Sequence, residues 1–219
     1  MWKKISSWFS TSAQADSPPP EESGFTPEAK SGAEIAKRFV LVVTMAELAD
    51  GTFLEAGGDR SAGKAIQTRA LDRLVAMGLG PGDLESRESQ FALGVHQGRV
   101  DQQWATATAW RLECAQVLAW ALGLAELLPV DAAAELAPLI ELLPADAAGF
   151  RAFCDHATPR PLAELLTANG QWCQIFFPLE PAPPSEERSR AIERVRALRW
   201  LVEPDLVELS SIQVVQQPM

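Results

Sequence analysis

The stretch DQQWATATAWRLECAQVLAWALGLAELL, residues 101–128, decides the fold. Trp110, Cys114, Val117, Ala121 and Leu124 recur at alternating steps of four and three, which sets them on one face of an α-helix. Leu112, Leu118, Leu122 and Leu127 cover the other faces, and from Leu112 to Leu128 the strongly polar side chains are Glu113, Gln116 and Glu126. A helix that is apolar nearly all round is either the centre of a globular core or a membrane span. This run falls short of the ~20 apolar residues a span needs, and two carboxylates interrupt it. The pattern therefore predicts one central hydrophobic helix over residues 101–128, closed by Pro129.

Helical spacing continues on both sides. Upstream, Ile35, Phe39, Val42, Val43, Ala46 and Leu48 predict a helix over 28–49, with Pro27 suited to its first turn and Asp50-Gly51 to its end. Ser61 is the expected cap of a second helix, and Gly78, Gly80, Pro81 and Gly82 break it before Asp83 opens a third to Leu93. Downstream, Asp131 starts a short helix through Leu143. Two more follow between 145 and 178, divided at Pro159 and Pro161, with Leu162, Leu165, Leu166, Trp172, Ile175 and Phe176 sharing a face. After a linker carrying Pro178, Pro181, Pro183 and Pro184, Ser185 opens a charged helix to Leu201 that carries Arg188, Arg190, Arg194, Arg196 and Arg199. Ile192, Val195 and Leu198, with Trp200 or Leu201, face inward. Leu206–Leu209 and Ile212–Val215 have the composition of short extended segments. The expected fold is all-α, an irregular single-domain bundle over 28–219 around the central helix, behind a disordered tail at 1–27.

Composition narrows the function classes. The chain has 219 residues, 19 Lys plus Arg against 29 Asp plus Glu, and a net charge of −10. With 47% apolar and 22% charged residues it is neither collagen-like, low-complexity nor a disulfide scaffold. The negative balance argues against nucleic acid, whose binding rests on cations that neutralise phosphates. Between Arg111 and Arg151 no basic residue occurs, while Glu113, Glu126, Asp131, Glu135, Glu141 and Asp146 supply six negatives. That run is read as a solvated face. Cys114, Cys154 and Cys173 are odd in number and set among apolar residues, as reduced thiols in a cytoplasmic protein would be. The first nine residues are too short and serine-interrupted for a signal peptide; membrane contact is expected only through Trp2, Ile5, Trp8 and Phe9.

No familiar catalytic motif is present. Cys154-Asp155-His156, with Cys173 or His96, lacks metal-ligand spacing, so no metal is expected. A cysteine nucleophile at Cys154 or Cys114 would need His156 or His96 brought close in space, and a buried thiol is the expected state. The run from Gly57 to Lys64 lacks both a phosphate-loop ending and a preceding strand, and is read as an inter-helix loop. No cofactor is implied. The most suggestive group is Trp110, Arg111 and Glu113: charges at the start of an apolar helix are costly unless paired. Arg111 and Glu113 stand two apart, so their partners must come from other helices. They are either a ligand-binding site at the edge of the core or a buried ion network.

Trp110-Arg111-x-Glu113, followed by Trp120-Ala121-Leu122-Gly123 and Pro129, resembles the hallmark helix of the bacterial domain-of-unknown-function family 4272. Ala33 to Arg38 resembles that family's first helix, Leu79 to Leu84 its leucine-to-acidic turn, and Arg196 to Leu201 its last helix, so the likeness covers residues 33–210. It implies a helical, cytoplasmic bacterial domain and attaches no activity. The expected function is a non-enzymatic protein-interaction or regulatory module that binds another protein or itself. The alternative is a small-ligand-binding protein or enzyme with a polar site around Arg111 and Glu113.

Overall fold

A computed structural model of the chain describes residues 27–99, 101–176 and 185–209. The tail containing Trp2, Ile5, Trp8 and Phe9, the linker from Pro178 to Pro184, and Ile212–Val215 lie outside the described residues. Helices run in the order α1 (Gly32–Ala56), α2 (Arg60–Ala76), α3 (Ser86–His96), α4 (Gln102–Trp110), α5 (Leu112–Ala121), α6 (Leu136–Glu141), α7 (Ala147–His156), α8 (Leu162–Phe176) and α9 (Glu186–Val202). No β-strand occurs among the described residues, and Leu206–Leu209 is not extended sheet but irregular chain ending in a 3-10 residue. The fold is all-α.

The central position belongs to two helices rather than one. α1 packs against α2, α3, α4, α5, α6 and α7. From Phe39 to Ala49 every residue on it is buried, including Thr44 and Glu47. α5 is the second centre, with Cys114, Val117 and Ala121 fully buried as their spacing requires. The predicted helix over 101–128 is corrected at both its middle and its end. Arg111 breaks it: its N–H bonds the Thr108 carbonyl three residues back at 3.1 Å, a tighter turn than the α-helix allows. Gly123 ends it at φ +71°, and the Leu124 N–H reaches back to the Ala119 carbonyl at 2.9 Å. This is a Schellman closure, in which only glycine enters the left-handed region without strain. Leu124, placed by spacing on the core face, is therefore beyond the helix and exposed.

The first helix is longer than its punctuation suggests. Ser31 caps α1, its hydroxyl accepting from Glu34 N while Glu34 accepts from the Ser31 N–H, so the helix starts after the 28–31 segment. At its other end it passes straight through Asp50-Gly51. Gly51 is a contact glycine, not a stop: a β-carbon there would lie 2.8 Å from the Gly63 carbonyl oxygen. α1 and α2 cross backbone to backbone at this pair. Asp59, not Ser61, caps α2, so only Gly57 to Asp59 of the glycine-rich run is loop. The third helix likewise begins at Ser86, after a 3-10 turn at Pro81–Asp83. α6 is shorter than expected, starting at Leu136. On α8, Leu165, Trp172 and Phe176 are buried while Leu166 and Ile175 face outward. α9 begins at its predicted Ser185 cap and packs on α5 and α8.

Candidate functional site

The charges at the start of α5 find their partners on α9. Arg194 is fully buried, and its Nε and Nη2 donate to Glu113 Oε2 at 2.8 and 2.6 Å. Nη1 donates to the carbonyls of Leu128 and Pro129 at 3.0 and 2.8 Å, and Nη2 also reaches Ala132 at 2.6 Å. All five guanidinium N–H groups are thereby used. The Trp172 ring covers the cation with its centroid 4.8 Å away. Glu113 Oε1 accepts from Ala134 N at 3.1 Å, so both carboxylate oxygens are engaged. One buried arginine thus ties α9, α5 and α8 to the irregular segment after Gly123.

A second network lies one residue away. Arg111 Nε is 3.6 Å from Glu193 Oε2, and Glu193 also pairs with Arg196. The Cys114 thiol donates to the Glu193 carboxylate at 3.2 Å. Arg111 Nη1 is buried with no hydrogen-bond partner among the described residues. Burial works against the Glu193 charge, yet Arg196 and Arg111 outweigh it and hold its pKa below the usual carboxylate value. Burial and the neighbouring Glu193 push the Cys114 thiol well above its ordinary pKa. Such a thiol carries almost no thiolate at neutral pH and is a poor nucleophile. Cys114 is expected to resist a disulfide-exchange reagent in the folded protein at pH 8 and to react at once in denaturant. Stoichiometric labelling of Cys114 in the native state, read by peptide mass, would contradict this placement.

Two further ion clusters join the helices. Arg38 on α1 pairs with Glu85 and Glu88, and Glu85 accepts the Leu209 N–H at 2.6 Å. Glu47 on α1 pairs with Arg69 and Arg73 on α2. Near the surface, the Lys37 ammonium lowers the Asp83 pKa and the Ser31 hydroxyl lowers that of Glu34. A carboxylate with a depressed folded pKa stabilises above its unfolded value and loses that contribution as pH falls through the folded one. With Glu193, Asp83 and Glu34 all lowered, the urea midpoint is expected to fall as pH drops from about 5 to about 3. A flat midpoint across that window would sink the assignment.

Beside the Arg194 network a cleft of about 490 Å³ opens between α1, α4, α5 and α9. Phe53, Trp110, Leu112 and Ala109 form its apolar walls, with Glu113, Glu186 and Arg190 as its charged groups. Of the three residues singled out from sequence, Trp110 and Glu113 line this cleft, whereas Arg111 lies with Glu193. Arg190 and Arg194 were missed because a run of arginines on a charged helix reads as its wet face. The signal was present: 190, 194, 198 and 201 continue one helical stripe through Leu198 and Leu201.

The family model for a domain of unknown function (DUF4272) matches residues 12–207. The chain belongs to that family. No curated protein and no solved structure matched it. In this DUF4272 chain Arg111 and Glu113 start α5 and are gripped from α9, and Gly123 turns the chain after it. Trp120 carries the Arg160 guanidinium over its ring at 5.1 Å. Among the described residues no three His, Cys, Asp or Glu side chains gather as a metal site, and no helix is long and apolar enough to cross a membrane. His156 Nδ1 bonds the Ala152 carbonyl of its own helix, while the Cys114 thiol bonds Glu193 on α9.

Proposed function

We propose that this DUF4272 domain is a non-enzymatic, cytoplasmic protein-interaction module that binds through the cleft bounded by Phe53, Trp110 and Arg190. The observation that carries the reading is a division of labour. The charged groups at the start of α5 are held by Glu193 and Arg194 of α9 and by backbone, as an ion network that fixes helix register would be. Among the described residues the cleft beside them is open, with an aromatic and aliphatic lining and Phe53 exposed at its edge. Aromatic residues with a buried arginine are the composition of interface anchors.

Affinity capture from the native lysate with wild type and Phe53→Glu tests this. A stoichiometric partner, or a second copy of the chain, should be retained by wild type and lost on the variant, with both proteins melting alike. A partner set unchanged by Phe53→Glu would overturn the reading. A small-ligand site on Trp110 and Glu113 is the second reading, favoured by the cleft volume, which falls in the range of small-molecule pockets.

A further inference from the structure

Arg190 differs from the other arginine of its stripe. Its residue is 8% exposed, and its Nε donates to the Val130 carbonyl at 3.3 Å, which fixes the plane of the guanidinium. Arg194 uses every N–H it has. On Arg190, neither Nη makes a hydrogen bond among the described residues; the nearest anion is Glu186 Oε2, 3.6 Å from Nη1. The Glu186 side chain is 60% exposed, and wet pairs at this i,i+4 spacing contribute little. Glu113, the other carboxylate of the cleft, has both oxygens occupied. The guanidinium is therefore a positioned cation whose outer fork makes no hydrogen bond among the described residues and is met only by the exposed Glu186, on a wall shared with Phe53, Trp110 and Leu112.

A planar fork of this kind matches a carboxylate, which it binds through two parallel N–H bonds. The apolar lining beside Arg190 suits a hydrophobic group next to that carboxylate. The net charge of −10 and the acidic run beyond Arg111 repel a polyacidic segment but cost a single anion much less. A chain terminus meets these demands, because its last residue carries a carboxylate and a side chain on one carbon and adds one charge. We propose that the cleft captures the C-terminal carboxylate of a partner polypeptide that ends in a bulky apolar residue, with Arg190 as the anchor. This rests on the interaction reading of the same cleft and names what enters it.

Dye-labelled, otherwise uncharged hexapeptides ending in leucine or phenylalanine, as free acids and as amides, would be titrated with the full chain by fluorescence anisotropy. The free acid should bind at least about tenfold more tightly than the amide, as expected for a hydrogen-bonded charge. Arg190→Gln should erase that difference and Arg190→Lys should retain part of it, with melting curves reporting the fold. Phe53→Glu, which leaves the Arg190–Val130 bond untouched, should weaken the free acid most. Added salt should not weaken binding of the free acid to the level of the amide. Equal binding of acid and amide, or no binding of either, overturns carboxylate capture. If both forms bind equally and Phe53→Glu removes both, carboxylate capture fails while the interaction reading stands. A partner retained from lysate by Phe53→Glu ends the interaction reading itself.

Discussion

Replacing Arg194 with alanine is expected to lower the unfolding free energy by about 3–5 kcal/mol, the range for breaking one side of a buried ion pair. The loss has three sources. Glu113 would stay buried with a charge and only the Ala134 N–H to meet it. The carbonyls of Leu128, Pro129 and Ala132 would lose the donor that holds the segment after α5 against α9. The Trp172 ring would face a void where the guanidinium lay. Against a typical domain stability of about 5–15 kcal/mol this is a large fraction. Urea unfolding followed by tryptophan fluorescence measures it. The double variant Arg194→Met with Glu113→Gln should recover part of the loss, since it removes the orphaned charge and refills the volume. A single-variant loss under about 1 kcal/mol, the scale of a surface pair, would show that the network contributes little.

Gly63→Ala is the second large effect. In an ordinary exposed helix this change stabilises by about 1 kcal/mol, because glycine loses more backbone entropy than alanine. Here the sign reverses. A β-carbon on Gly63 would lie 2.5 Å from the Gly51 carbonyl oxygen and 2.6 Å from the Glu55 nitrogen. Both atoms are backbone of α1, which is packed on several sides and has nowhere to move. Separating α1 from α2 would also stretch the Glu47 pairs with Arg69 and Arg73. Overpacking of this kind costs about 3 kcal/mol, so a net loss of about 2 kcal/mol is expected. Thermal melts of Gly63→Ala beside Gly82→Ala, where a β-carbon meets nothing within 4 Å, make the comparison. Equal melting of the two variants would refute the crossing.

Much of the fold was legible because period is a local property. The steps between Cys114, Val117 and Ala121 placed three buried residues correctly, and Ser185 with its following glutamates marked the start of α9. The separation of Arg111 and Glu113 by two residues ruled out their pairing with each other, and both partners do come from another helix. The glycines were harder. Gly51 and Gly123 look alike in sequence, yet one is the crossing point of two helices and the other ends one at positive φ. The difference lies in what stands opposite: Gly63 of the next helix meets Gly51, whereas a β-carbon on Gly123 would meet nothing within 4 Å.

The candidate site divides the same way. Sequence alone determined that this is an acidic, helical chain with costly charges at the head of an apolar helix, because spacing and desolvation act at every residue whatever its neighbours. Tertiary structure decided which arginines answer those charges, since Glu113 and Arg194 stand 81 positions apart. It also decided that Arg194 spends all its donors inside the core while Arg190, one turn earlier, holds an outer fork toward a cleft. One turn of helix moves a side chain by about 5.4 Å along the axis, and that step carries it from sealed interior to open wall.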